Sequence, residues 1–215
     1  MLRWPALCFA GSMLAAAPGL ACDPPPGPAE YTATHATHAT QGQIGTHVIT
    51  FHCDGDALVV ETAIEGEIRV LLLPVLRREG RYREVWRGDR LIAFDSRVVD
   101  NGEVYEVTAR AEGEKTIIEG RRGRIEAPPD IVSNHPWNHA VIERPLVFDT
   151  QRGRLQEVQV TPAGTERITA SGRTYSARKY LVTGDLEREL WYDEAGNWLQ
   201  SRLEVRGQTI TLTRR

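Results

Sequence analysis

Turn signals recur along this chain at short intervals, and they constrain the fold more than any other feature. Asp54-Gly55-Asp56, Gly66, Arg78-Glu79-Gly80, Gly88-Asp89, Asp100-Asn101-Gly102 and Glu112-Gly113-Glu114 punctuate the first half. Pro162-Ala163-Gly164, Ala195-Gly196-Asn197 and Arg206-Gly207-Gln208 do the same in the second. Between them lie short alternating runs such as Leu58-Val60-Thr62-Ile64, whose period of two lines one face of a strand. Asn101-Gly102 is the strongest signal, because both residues tolerate the positive φ of a type I′ turn, whose twist matches its flanking strands. Strands joined by tight turns run antiparallel, whereas parallel strands need long crossovers. The pattern predicts an all-β antiparallel meander of roughly ten or more strands, forming one strongly curved sheet or an open β-barrel.

Residues 127–144 break this rhythm. Pro136 suits the first position of a helix, so the expectation is at most a short helix around residues 136–143. A gap of this length is unusual in a meander. It reads as a lid, plug or crossover at the mouth of the sheet. An internal echo also runs at an offset of 105: Glu84-Val85-Trp86 recurs as Glu189-Leu190-Trp191, Ser96-Arg97-Val98 as Ser201-Arg202-Leu203, and Gly102 as Gly207. Either a duplicated three-strand unit or the shared turn grammar of hairpins accounts for it.

The N-terminus has the grammar of a signal peptide. Arg3 supplies the charge, residues 4–17 the apolar stretch, and Gly19 and Ala21 the small residues before a cleavage point. The expected organisation is a signal peptide at 1–21, a Pro-rich linker at 22–30 (Pro24, Pro25, Pro26, Pro28) and a single β domain at 31–215, periplasmic or secreted. No later run approaches the roughly 20 apolar residues of a membrane-spanning helix. Cys22 and Cys53 remain after cleavage. In an oxidising compartment such a pair forms a disulfide. Alternatively, Leu20-Ala21-Cys22 is a displaced lipoprotein box, in which case a lipid-anchored Cys22 leaves Cys53 a lone thiol.

The net charge is −3 with acids and bases interleaved, so nothing favours a nucleic-acid partner. His47 and His52 fall on opposite faces of their strand, as His35 and His38 would of theirs, which spoils both as chelating pairs. His135 and His139 are four apart, but Pro136 sits between them and no third ligand is evident, so they read as a solvated loop pair. No metal and no cofactor are expected. Gly-x-Ser-x-Gly and phosphate-cradling loops are absent, and nothing couples carboxylates such as Glu84 and Glu189. No catalytic residue is named, and the reading leans away from an enzyme. Trp86, Trp137, Trp191 and Trp198 stay in the mature chain, either as core or as the lining of a concave sheet that grips an apolar or glycan ligand. Leu190 and Tyr192 share one strand face and Trp191 takes the other. The candidate ligand-binding residues are Trp86, Trp137, Asn138, His139, Trp191 and Tyr192.

Several stretches are similar to an uncharacterised bacterial exported family, the domain of unknown function 6134. They are Gly42-Gln43-Ile44-Gly45-Thr46-His47, Glu84-Val85-Trp86-Arg87-Gly88-Asp89-Arg90-Leu91 and Pro136-Trp137-Asn138. Further on come Asp149-Thr150-Gln151-Arg152-Gly153-Arg154-Leu155, Gly184-Asp185-Leu186 and Leu190-Trp191-Tyr192-Asp193. Pro136 stands where that family tends to carry Tyr. The resemblance implies an envelope β protein with no assigned reaction, similar to half-open barrels of the lipoprotein-carrier kind. The leading expectation is a non-catalytic carrier for an apolar or lipid-like ligand. The alternatives are an envelope hydrolase with its site near Trp137-Asn138-His139, and a structural partner in an envelope complex.

Overall fold

The computed structural model describes residues 22, 24–25, 27–36, 41–70, 73–205 and 207–215, without the side chains of 35–36, 41, 69–70 and 73–75. The expected signal peptide and His38 lie outside the described residues, as does the side chain of His35.

The alternating runs become strands. The first half gives β1 (Ala29–Ala36), β2 (Gln41–Asp54), β3 (Ala57–Val70), β4 (Leu73–Arg87), β5 (Arg90–Asp100), β6 (Glu103–Glu112), β7 (Lys115–Gly120) and β8 (Gly123–Ala127). After the break come β9 (Val132–Ser133), β10 (Leu146–Phe148), β11 (Leu155–Ala170), β12 (Arg173–Gly184), β13 (Arg188–Tyr192), β14 (Trp198–Val205) and β15 (Gln208–Arg214). Among the described residues these fifteen strands form one sheet in the order β8 to β1, then β15 down to β9. Two meanders are thus joined where the first strand pairs with the last, Tyr31 opposite Arg214. Neighbours are antiparallel except β9, which lies parallel to β10. Asn101 (φ 52°) and Gly102 (φ 86°) take the positive φ values that the β5–β6 turn requires. β1 begins at Ala29, so the last two residues of the Pro-rich segment already pair with β2. Ala29 is buried opposite Ile49.

Bulges at Ala33/Thr34, Val85/Trp86, Pro162/Thr165 and Trp191/Tyr192 tighten the twist and curl the sheet. The edges β8 and β9 do not pair with each other, so closure comes from packing. Phe94 on β5 meets Phe148 on β10 edge-to-face at 5.0 Å. The loop after β10 docks on β5 to β7: Ser96 Oγ donates to the Thr150 carbonyl at 2.7 Å, and a Cβ on Gly120 would stand 2.7 Å from the Arg152 carbonyl. Backbone touches backbone there, which only glycine allows.

The main core occupies the inner face, with Phe94, Val98, Ile118, Phe148, Leu190 and Tyr192 wholly buried. Residues 128–145 fill part of that concavity as a plug, through Ile131, Val132 and Val141. Their helical content is one 3-10 turn, His139–Ile142. Its N-cap is Asn138, whose Oδ1 accepts from Ala140 N at 3.0 Å, so Pro136 precedes the turn and does not open it. A smaller cluster forms on the outer face. Past the bulge at Pro162/Thr165 the β11–β12 hairpin packs Ile168, Ala170 and Ala177 with Trp191 and Leu199, and Ser171 N at its tip donates to the Arg214 carbonyl at 3.0 Å.

Cys22 and Cys53 are disulfide-bonded, with Cα atoms 5.9 Å apart, which ties the N-terminal segment to the end of β2. A thioether on Cys22 would need the sulfur that this bond already uses.

Candidate functional site

Alternation along β4 points Tyr82, Glu84 and Trp86 inward, and each is almost fully buried. Glu84, 1% exposed, lies in register between Val60 and Phe94, which offer its carboxylate no hydrogen bond. A buried carboxylate must find donors, and most of these come from the plug. Trp86 Nε1 donates to Oε2 at 2.9 Å; Trp137 Nε1 and Ser133 Oγ donate to Oε1 at 3.1 and 3.2 Å. His135 Nδ1 stands 3.7 Å from the same oxygen.

The other side of the His135 ring reaches His47 on β2, with the two Nε2 atoms 2.8 Å apart. One nitrogen must donate and the other accept, so this contact requires at least one neutral ring. Burial, then the neighbouring His135 and Arg78, hold the His47 pKa well below its ordinary 6.5. Around the pair stand Tyr31, Tyr82 and Trp198. Tyr31 stacks on Trp198 at 4.0 Å and donates to its carbonyl at 3.0 Å. Burial raises the pKa of both Tyr31 and Tyr82, which keeps these phenols neutral.

A Glu–His–His line has the composition of a proton relay. Its members, however, are 1%, 6% and 4% exposed, so no reacting group reaches them while the plug is seated. What the geometry does is fix the plug: each donor to Glu84 apart from Trp86 belongs to residues 133–137.

The sequence-derived candidates divide. Trp86 and Trp137 converge on Glu84, with their rings edge-to-face at 5.8 Å. Asn138 caps the 3-10 turn. The His139 ring lies edge-on to Tyr192 at 4.9 Å, and Tyr192 Oη donates to the Pro136 carbonyl at 2.9 Å. Trp191 stands apart, in the outer cluster. His135, expected as half of a solvated loop pair, is buried, because its ring fills the space between His47 and Glu84. Sequence reasoning missed Tyr31, His47, Tyr82, Glu84, Ser133, His135 and Trp198 as a set. The one available signal was the parity that places Glu84 on the same face as Tyr82 and Trp86.

At the far end of the inner face, away from Trp86, Ile64, Val160, Tyr180, Leu203 and Leu212 are only half-buried. On the outer face, Arg81, Arg83 and Arg97 with Glu61, Asp95 and Glu106 line an open hollow of about 600 Å³. Its charges are mixed in sign, and two of the acids are engaged: Glu106 with Arg97 at 3.6 Å and Asp95 with Arg110 at 2.7 Å.

The family model described as "Domain of unknown function (DUF6134)" matches residues 39–215. No curated protein matches the chain. Among solved structures, the chain is similar to a beta-barrel-like protein of the domain of unknown function DUF1849 from Brucella abortus, with a TM-score of 0.62 and 10% identity, over 89% of this chain and 95% of that one. The likeness is one of fold.

Proposed function

Because the chain belongs to the DUF6134 family, whose description carries no activity, we propose from its own geometry that it is an exported, non-catalytic binding module for an apolar or lipid-like ligand. The observation that carries this reading is the inner face beyond the plug. There Ile64, Val160, Tyr180 and Leu212 keep part of their surface uncovered inside the curled sheet, whereas Phe94, Val98, Leu190 and Tyr192 on the same face are sealed. Half-buried apolar side chains on a concave wall are the ordinary lining of a site for an apolar ligand. The disulfide supports export, since such bonds persist in oxidising compartments.

The hydrolase reading has less support, because Trp137, Asn138 and His139 spend their polar atoms or ring faces on holding the plug. A structural partnership through the open edge is opposed by β8 itself, which is short and carries Arg124 and Glu126 exposed.

Titration of the oxidised protein with the uncharged fluorophore N-phenyl-1-naphthylamine tests the proposal. Saturable one-to-one binding, displaced by dodecanol and lost in Leu212→Trp, is expected. Absence of saturable binding by the wild-type protein removes the reading.

A further inference from the structure

Arg188 is a charge the fold does not use. It faces inward from β13, in register with Val182, which faces Val160 in turn. Its Nε is buried without a hydrogen-bond partner. Among the described residues its guanidinium makes no hydrogen bond or ion pair. The anion whose field reaches it is the Asp149 carboxylate, while burial keeps the neighbouring Tyr192 phenol neutral. Asp149 is already engaged, accepting from Gln151 N at 2.9 Å, Arg152 N at 3.1 Å and Arg154 Nε at 3.3 Å. Burial lowers the Arg188 pKa from 12.5 to about 10, so it stays charged near neutral pH at a standing desolvation cost.

A second guanidinium approaches the same loop. Arg78 donates through Nη2 to Gln151 Oε1, while its Nε is buried without a partner. Pairing places Arg78 on one continuous cross-sheet row, through Gly66, Gly45 and Ala33 to Leu212, and on through Ser201 and Leu190 to Tyr180. The row thus sets Arg78 at the same level of the inner face as Leu212 and Tyr180, across the curl of the sheet from them. Arg188 keeps part of its surface accessible, so an incoming group has a path to it.

We propose that Arg188, assisted by Arg78, binds the anionic head of an amphiphile, a carboxylate or phosphate, whose acyl chain lies along Val160, Tyr180 and Leu212. A planar guanidinium with donors in a fixed fork matches either head group. The unspent donors and the half-buried apolar wall are then two parts of one site. This inference rests on the apolar-ligand reading and names the chemistry of its polar end.

The test is calorimetric titration near neutral pH with laurate, dodecyl phosphate, dodecanol and inorganic phosphate, each amphiphile below its micelle concentration. The wild-type protein is expected to bind the two acidic amphiphiles about ten- to hundredfold more tightly than dodecanol, and to bind inorganic phosphate far more weakly. Arg188→Met should bring both acids down to the affinity of dodecanol, leave dodecanol unchanged and keep or raise the thermal midpoint, since it removes a desolvated unpaired charge. Arg188→Lys, which keeps the charge and loses the fork, should retain part of the preference. Equal affinity for acids and alcohol, or an Arg188→Met protein of unchanged preference, overturns the anion site and leaves the apolar reading standing. Failure of all three amphiphiles removes both. Inorganic phosphate bound as tightly as dodecyl phosphate makes this a free-anion site and overturns the amphiphile.

Discussion

The tripeptides Glu84-Val85-Trp86 and Glu189-Leu190-Trp191 have one pattern and opposite fates. Glu84 and Trp86 face the core, where the carboxylate takes two indole N–H groups and a serine hydroxyl. Trp191 faces outward beneath the β11–β12 hairpin and donates to Glu166 at 3.0 Å, with Lys179 and Arg202 over its ring at 4.9 and 5.3 Å. Glu189 pairs with Lys179 at 2.9 Å and Arg202 at 3.1 Å. The following hairpins do share a register, Ser96 opposite Val107 and Ser201 opposite Leu212. The preceding pairs do not: Ser96 faces Tyr82, whereas Ser201 faces Leu190, three places away from the equivalent position. An odd slip moves a side chain to the other face of a sheet. One sequence pattern therefore builds a neutral-donor network inside and an ionic network outside.

The largest difference should appear when each carboxylate is removed. Glu84→Leu keeps the volume but strands Trp86 Nε1, Trp137 Nε1 and Ser133 Oγ without an acceptor. A loss of about 3–5 kcal/mol is expected. Glu189→Leu breaks ion pairs whose partners regain water, and should cost at most about 1 kcal/mol. Urea unfolding midpoints of the two variants measure the gap; equal losses would mean that the plug does not depend on Glu84.

A smaller contrast separates the indoles. Trp86→Phe removes one buried hydrogen bond to a carboxylate and should cost about 1.5–3 kcal/mol. Trp191→Phe keeps an aromatic face for Lys179 and Arg202, and Glu166 at the surface can turn to water. Its expected cost is about 0.5–1 kcal/mol. Thermal midpoints of the pair check the order, and a larger shift for Trp191→Phe would reverse the ranking of the two networks.

Much of the fold was legible because its determinants are local. Period-two alternation and turns such as Asn101-Gly102 act within a few residues, so the meander could be read along the chain. The site was not, because its contacts are distant: Trp137 reaches Glu84 across 53 positions and His135 reaches His47 across 88. Nor does alternation reveal that β13 pairs with β14 three places away from the register of β4 with β5, or that the break at 127–144 returns a histidine to the core. Trp86 and Trp137 stand out in the sequence as scarce aromatics, but the carboxylate that joins them, Glu84, is one acid among many along the chain. Arg188 gives no local signal, since its meaning lies in the acceptors that fail to reach it.

Mild acid offers the finest separation of the two networks. His47 has its folded pKa held well below 6.5, so near neutrality neither the folded nor the unfolded chain carries that proton and its full contribution is present. As pH falls below about 6.5, the unfolded chain takes up a proton that native His47 refuses. Stability then declines by up to about 1.4 kcal/mol per pH unit until the folded pKa is reached. The outer network has a different window. Hydrogen bonds from Lys179 and then Trp191 lower the Glu166 pKa from 4.5, so its share persists above that value and is lost only in stronger acid. Between about pH 6.5 and 5, the inner network alone should weaken. Urea titrations across this interval should show a slope that shrinks in His47→Leu and is unchanged in Glu189→Leu. Added salt should do the reverse, dimming the outer ion pairs while the buried carboxylate and its neutral donors stay as they are. A His47→Leu protein with the full acid slope would place the titrating group elsewhere and dissolve the distinction.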